Sequence, residues 1–114
     1  MRTLTIALLL LAPGVASAQD AAVVNADTIR VTLENERVRV LEAVIPPGTV
    51  EKLHSHPQSI VHVIEGGKMR DHFPDGTAND SDLVAGTSVW REAITHWAEN
   101  TGDTTVHVVI VEMK

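Results

Sequence analysis

Alternation between hydrophobic and polar residues is the feature that most limits how this chain can fold. In the stretch TIRVTLENERVRVLEAVIPPG, Ile29, Val31 and Leu33 fall on one face of an extended strand. Val38 and Val40 fall on one face of a second strand. The Glu-Asn pair between the two runs is a turn signal, and Pro-Pro-Gly ends the second run. The pattern therefore predicts two neighbouring β-strands.

Further runs of this kind follow, and residues that favour turns separate them. The predicted strands are SIVHVIEGG, KMRDHF, DLVAG, TSVW and TTVHVVIVEMK. No window after residue 20 carries the apolar stripe of an amphipathic helix. Short strands with turns about every 8–12 residues predict an all-β fold, either a sandwich or a barrel.

The first 18 residues have the order of parts found in a secretory signal peptide. Arg2 precedes an apolar run from Leu4 to Ala12, and Ala16-Ser17-Ala18 matches the small-residue cleavage pattern. The apolar run is too short to span a bilayer, which argues against a membrane anchor. We therefore predict a signal peptide over residues 1–18, a single mature domain over residues 19–114, and a secreted or periplasmic location. The chain has no cysteine, so this domain would fold in an oxidising compartment without a disulfide.

The charge of the chain argues against two classes of partner. Its formal net charge is −6 at pH 7, and removal of the segment that carries Arg2 makes it −7. An acidic chain without a basic run is a poor match for nucleic acid or for an anionic membrane surface. We expect neither partner, and we expect a small-molecule ligand or substrate instead.

The stretch LHSHPQS places two histidines one residue apart. In a strand, His54 and His56 would point to the same side, roughly 7 Å apart. Neutral imidazoles suit zinc, copper, iron and nickel. The pair is therefore a candidate for part of a metal site, provided that further side chains reach the same point.

The arrangement around these histidines resembles the two sequence motifs of the cupin superfamily. Gly48 precedes the His-Ser-His triplet at the spacing of the first motif, and Gly86, His96 and Asn100 follow in the order of the second. The resemblance extends over nearly all of residues 19–114. It implies a double-stranded β-helix, also called a jelly-roll barrel. It also implies that His54, His56 and His96 bind a divalent transition metal (Fe, Mn, Ni or Zn) inside the barrel and leave a position open for water or substrate.

The chain departs from the family pattern in both motifs. The first motif usually carries a glutamate ligand after the histidine pair, whereas Ser59 and Ile60 stand at the corresponding positions here. The second motif lacks the usual proline and glycine between Gly86 and His96 and is one residue shorter. These departures leave two alternatives: a metal site of three histidines without a carboxylate ligand, or a site that is weak or vacant.

Four further residues are candidates for the wall of the metal pocket: Gln58, His62, Trp90 and Asn100. Gln58 can offer an amide oxygen. His62 stands among valines, where a hydrogen-bonded interior histidine is the alternative to a ligand. Trp90 fits either the core or the pocket wall, and Asn100 either holds its turn by hydrogen bonds or contacts a ligand.

Two functional classes follow from the resemblance. The first is a metal-dependent enzyme of the dioxygenase or isomerase type that acts on a small organic molecule. The alternative is a non-catalytic cupin that binds a metal or a small ligand. Other catalytic arrangements are not indicated, because the sequence has no cysteine nucleophile, no G-x-S-x-G elbow and no phosphate-binding glycine loop.

Two of the predicted strands are apolar on both faces. The runs SIVHVI and VHVVIV would leave hydrophobic side chains outside a single small barrel. We therefore expect a homodimer that covers one sheet.

The signal-peptide assignment predicts where the mature chain begins. Mass spectrometry of the protein from its native host should find the N-terminus at Gln19, because cleavage follows the Ala-Ser-Ala pattern. Recovery of chains that still begin at Met1 from the soluble cytoplasmic fraction would show that the assignment is wrong.

Overall fold

The computed structural model describes residues 19–114, which form two antiparallel β-sheets that face each other. The predicted signal peptide, residues 1–18, lies outside the described residues. The all-β prediction is confirmed, and no helix within residues 19–114 is long and apolar enough to cross a membrane. The described elements in chain order are α1 (Ala21–Val24), β1 (Ile29–Glu34), β2 (Val38–Ile45), β3 (His54–His56), β4 (Ser59–Glu65), β5 (Gly67–His72), β6 (Ala78–Leu83), β7 (Ser88–Arg91), β8 (Ile94–Asn100) and β9 (Val106–Met113).

The strand order brings together segments that are far apart in the sequence. One sheet has the order β1-β2-β9-β4-β7, and the other has the order β3-β8-β5-β6. The last strand, β9, therefore lies between β2 and β4, and β8 lies between β3 and β5. This exchange of strands between the two halves of the chain gives the jelly roll.

The core lies between the two sheets, and strand alternation fills it. In β9, Val106, Val108 and Ile110 point inward and are 8% exposed or less, whereas the residues between them are only partly buried. Leu41 and Ala43 of β2 alternate in the same way and are fully buried. Each such burial of a valine, leucine or isoleucine stabilises the fold by about 1.5–3 kcal/mol.

The glycines of the two sequence motifs occupy turns that other residues would strain. Gly48 has φ of 79° and Gly86 has φ of 84°, both in the left-handed region. The turn at Gly48 is tied to the end of β8, because its N–H donates to the carbonyl of Asn100 at 3.0 Å. Both motif glycines therefore shape the connections that lead into the strands that follow them.

Four elements differ from the prediction. In β1, the register shifts between Val31 and Leu33, so Leu33 lies opposite Val40 and on the other face of the sheet from Ile29 and Val31. β8 was not among the predicted strands. Two of the inward-facing residues of ITHWAEN are polar, His96 and Asn100, so the sequence lacks the usual alternation of apolar and polar residues. The strand predicted at DLVAG is β6, and it begins earlier, over the polar and exposed sequence ANDSDL. Pairing with β5 holds this edge strand in register. The four-residue helix α1 is too short to show a helical period.

Candidate metal centre

The structure brings together His54, His56 and His96, the three histidines that the sequence resemblance indicated. His54 and His96 are directly opposite each other in the β3–β8 ladder, and His56 lies two residues along β3 on the same face. Their side chains face the space between the sheets and are 7% exposed or less. One ring nitrogen of each lies within 4.8 Å of those of the other two.

The Nδ1 atom of His54 is held by the backbone. It lies 2.7 Å from the carbonyl oxygen of Lys52 and 3.0 Å from Asn25 Nδ2. The shorter contact is to a carbonyl, which can only accept, so the proton is assigned to Nδ1. Asn25 fixes this carbonyl, since its Nδ2 donates to the same oxygen at 3.2 Å and its Oδ1 accepts from the Lys52 N–H at 2.8 Å. The Nε2 atom of His54 is therefore unprotonated and available as a ligand.

Two carboxylates hold the Nδ1 atoms of the other histidines. His56 Nδ1 donates to Glu112 Oε2 at 2.6 Å, and His96 Nδ1 donates to Asp71 Oδ1 at 2.9 Å. Arg91 donates to the second oxygen of Asp71. Carboxylate partners of this kind fix the tautomer and the ring orientation of metal-binding histidines and raise their basicity.

The protonation states agree with this arrangement. Burial lowers the pKa of His54 to about 4, and burial also lowers the pKa of His96 despite the opposing effect of Asp71. Burial alone would raise the pKa of Asp71, but the hydrogen bond from His96 and the charge of Arg91 outweigh it and hold the pKa below its usual value. His54 and His96 are therefore neutral at pH 7, while Asp71 is an ionised acceptor.

A metal ion fits this donor set. The Nε2 atom of His96 is buried and has no hydrogen-bond partner among residues 19–114. A buried polar atom without a partner is costly and requires an explanation. Three imidazoles with engaged Nδ1 atoms have Nε2 as the nitrogen left to bind a metal, and imidazole nitrogen is a donor that Zn, Fe and Ni accept. No acidic residue within 19–114 joins the three histidines in this cluster of potential ligands.

A cavity of about 290 Å³ extends from the histidines between the two sheets. Its wall is largely apolar and includes Val61, Val108 and Ile110. Glu51 and Arg91 contribute polar groups to the same wall. Glu51 is only 7% exposed, and its burial, together with the nearby charge of Asp71, raises its pKa to about 7.

The four predicted pocket residues do not line this cavity. Gln58 is exposed and donates to Glu92 at 2.8 Å, and Trp90 is 52% exposed and donates to Glu92 at 2.9 Å. Strand alternation explains the placement of His62, which lies on the outer face of β4 beside Ser88.

Asn100 is buried, but its side chain forms hydrogen bonds with nearby backbone groups and does not line the cavity. Its Nδ2 donates to the carbonyls of Ile45 and Thr104 at 2.8 and 2.9 Å, and its Oδ1 accepts from the N–H of Gly102. Of the two alternatives that the sequence left open for Asn100, the structure shows the hydrogen-bonded turn.

Sequence reasoning missed the residues that support the histidines. Glu112 and Asp71 are charged residues on the inward faces of β9 and β5, where their strand neighbours are apolar. A charged residue at an inward position was the available signal for both. Glu51 lies before β3, outside the named strands, and had no such signal.

Ser59 stands where the first cupin motif would place a glutamate. It begins β4, faces inward and is 1% exposed, whereas Ile60 points outward. The carboxylate of the family pattern therefore has no counterpart at either position.

Comparison with known proteins gave matches among solved structures. A cupin domain from Bordetella pertussis Tohama I is 33% identical over 75% of this chain and 91% of that chain, with a TM-score of 0.69. An uncharacterized conserved protein with a double-stranded β-helix domain from Klebsiella pneumoniae is 27% identical, over 73% of this chain and 72% of its own, with a TM-score of 0.58. An RmlC-like cupin family protein from Methanocaldococcus jannaschii, 16% identical over 75% of this chain and 77% of that one, shares the fold with a TM-score of 0.60. No protein-family model and no curated protein matches the chain.

The raised pKa of Glu51 predicts a pH dependence of stability. The pKa is about 7 in the folded protein and near 4.5 in the unfolded chain, so between these values only the folded state keeps the proton. The free energy of unfolding should therefore fall as pH rises from 4.5 to 7. Glu51→Gln removes this loss, and the stability of the variant relative to wild type should increase by roughly 3 kcal/mol between pH 4 and pH 8.

Urea denaturation of the metal-free protein at both pH values measures this effect. Glu36→Gln, in the exposed bend between β1 and β2, is the control and should show no such change. If the stability of Glu51→Gln relative to wild type is the same at pH 4 and pH 8, Glu51 does not have a raised pKa.

Proposed function

This chain belongs to the cupin superfamily, and we propose that it is an exported metalloprotein with a metal site beside a cavity for a small organic molecule. His54, His56 and His96 bind one divalent transition metal through their Nε2 atoms. The observation that carries the proposal is the buried, unpartnered Nε2 of His96 in a cluster whose three Nδ1 atoms are all engaged. Export rests on the order of Arg2, the apolar run and the cleavage pattern in residues 1–18.

The chemistry at such a site follows from the residues around it. A bound Zn, Ni, Mn or Fe ion would supply a Lewis acid or, for a redox metal, a centre for oxygen chemistry. The apolar wall limits access of water to the cavity. Arg91 offers a cation to an anionic group of the ligand, and Glu51, with its pKa of about 7, is suited to hold or release a proton at neutral pH.

Two alternative functions are compatible with this site. Glu51 in the cavity wall favours an enzyme of the dioxygenase or isomerase type that acts on a small organic molecule. Ser59 in place of a carboxylate ligand favours the second candidate, a non-catalytic cupin that binds a metal or a small ligand. Both require the same three-histidine metal site, which is therefore tested first.

Metal titration of the purified, untagged protein tests the proposal. Calorimetry should show uptake of one equivalent of Zn, Ni, Mn or Fe at neutral pH. His54→Ala, His56→Ala and His96→Ala should each weaken binding by orders of magnitude, because each removes one of three ligands. His107→Ala is the control, since His107 lies on the outer side of β9 and should leave affinity unchanged.

Two outcomes would contradict the metal site. Wild-type protein that takes up none of these ions lacks the site altogether. A His96→Ala variant that binds metal as tightly as wild type shows that the metal lies elsewhere. In either case a cupin that binds a small ligand without metal becomes the better account.

We also propose a homodimer formed through the five-stranded sheet. Exposed apolar side chains lie on the outer face of this sheet: Leu33 on β1, Val44 on β2, Ile60 and Ile64 on β4, and Trp90 on β7. A second copy of the chain would cover this apolar face. Light scattering at tens of micromolar should give the mass of a dimer, and Ile60→Glu should shift it to that of a monomer. A monomeric wild type would count against this interface.

A further inference from the structure

The segment Gln19–Asn25, here called the N-terminal segment, lies against the strand that carries the histidine pair. The backbone N–H of Ser55, between His54 and His56, donates to the carbonyl of Gln19 at 2.8 Å. The Ser55 hydroxyl donates to the side-chain oxygen of Gln19 at 2.8 Å. If the chain is cleaved after Ala18, this segment is the N-terminus of the mature protein.

The two residues that cap helix α1 are each linked to one histidine of β3 through an intervening residue or residues. Asp20, the N-cap, accepts two hydrogen bonds from Arg39 at 2.6 and 2.8 Å. Arg39 in turn lies 3.9 Å from one oxygen of Glu112, and the other oxygen of Glu112 accepts from His56 Nδ1. The side chains of Asp20 and Arg39 are 17% and 18% exposed, so solvent only partly screens the electrostatic interactions of Arg39 with Asp20 and Glu112.

The C-cap, Asn25, is linked to His54 through the backbone of Lys52. It is 7% exposed and forms hydrogen bonds with both backbone groups of Lys52, whose carbonyl accepts from His54 Nδ1. The third histidine is supported from elsewhere, by Asp71 on β5 and Arg91 on β7. The N-terminal segment therefore supports two of the three histidines.

We propose that the N-terminal segment is part of the metal centre, with Asp20 as positioning residue for His56 and Asn25 for His54, so that docking of the segment and metal binding stabilise each other. The proposal rests on the metal site proposed above. Loss of Asp20 would free Arg39 to close on Glu112 and draw that carboxylate away from His56. Loss of Asn25 would release the carbonyl that orients His54. Supporting residues of this kind typically change metal affinity by about 10–100-fold.

Substitution of Asp20 separates its two roles. Asp20→Asn keeps an N-cap acceptor for the N–H of Ala22 but removes the charge that pairs with Arg39. Calorimetry with Co(II) and Zn(II) should give affinities at least about tenfold weaker for Asp20→Asn and for Asn25→Ala. Asp27→Asn is the matched control, because Asp27 is exposed two residues beyond the segment, and it should bind as wild type does.

The visible absorption spectrum of the Co(II) protein gives a readout that general destabilisation would not move. Asp20→Asn should shift its bands, because a displaced His56 changes the ligand field. Asp27→Asn should leave the bands unchanged.

Hydrogen exchange on the wild-type protein tests the reciprocal effect without any substitution. The amides of Val23, Val24 and Ser55 donate to carbonyls of the N-terminal segment. Because coupling between two equilibria is reciprocal, saturating Zn(II) should slow their exchange by a factor similar to the loss of affinity in the variants.

The outcomes distinguish this proposal from the metal site itself. If the wild type binds no metal, the proposed metal site fails. If the wild type binds metal but both variants bind within twofold of it, with unchanged Co(II) spectra and unchanged exchange at the three amides, the metal site stands and the role of the N-terminal segment is wrong.

Discussion

Three hydrogen bonds at the Nδ1 atoms of His54, His56 and His96 are the interactions on which the site depends. Burial removes three imidazoles from water and would favour any contact that satisfies either ring nitrogen. By engaging Nδ1 on each ring, the protein leaves Nε2 as the nitrogen that each ring can offer to a metal. Desolvation also lowers the pKa of His54 to about 4, so this ring stays neutral over the range in which a metal would bind.

The partners of these hydrogen bonds come from different parts of the chain. The backbone of Lys52 holds His54, β9 supplies Glu112, and β5 supplies Asp71. Because β9 and β3 belong to different sheets, Glu112 reaches His56 across the barrel, whereas Asp71 on β5 reaches His96 from the neighbouring strand of the same sheet. A change in strand register by one residue would turn the acceptor to the opposite face and leave the histidine without its partner. The chemistry of the site therefore depends on sheet register as much as on the histidines.

The sequence predicted the features that are local and missed those that depend on pairing. Alternation in β1, β2, β4 and β9 indicated the all-β fold, and the His-x-His spacing indicated that His54 and His56 point to the same side. The match to a known motif indicated His96, because nothing in the local pattern marks β8 as a strand. Trp90 was expected in the core or the pocket wall, yet its position opposite Ile60 in the β4–β7 ladder turns it outward. The supporting roles of Glu112 and Asp71 depend on contacts with histidines 56 and 25 positions away, which no short sequence window contains.

The hydrogen-bond pattern of the histidines can be measured directly. Long-range ¹H–¹⁵N correlation spectra of the metal-free protein at pH 8 report which ring nitrogen carries the proton. The account predicts protonated Nδ1 and unprotonated Nε2 on His54, His56 and His96. A protonated Nε2 on any of the three would contradict it, because that nitrogen could then not be a ligand without first losing its proton.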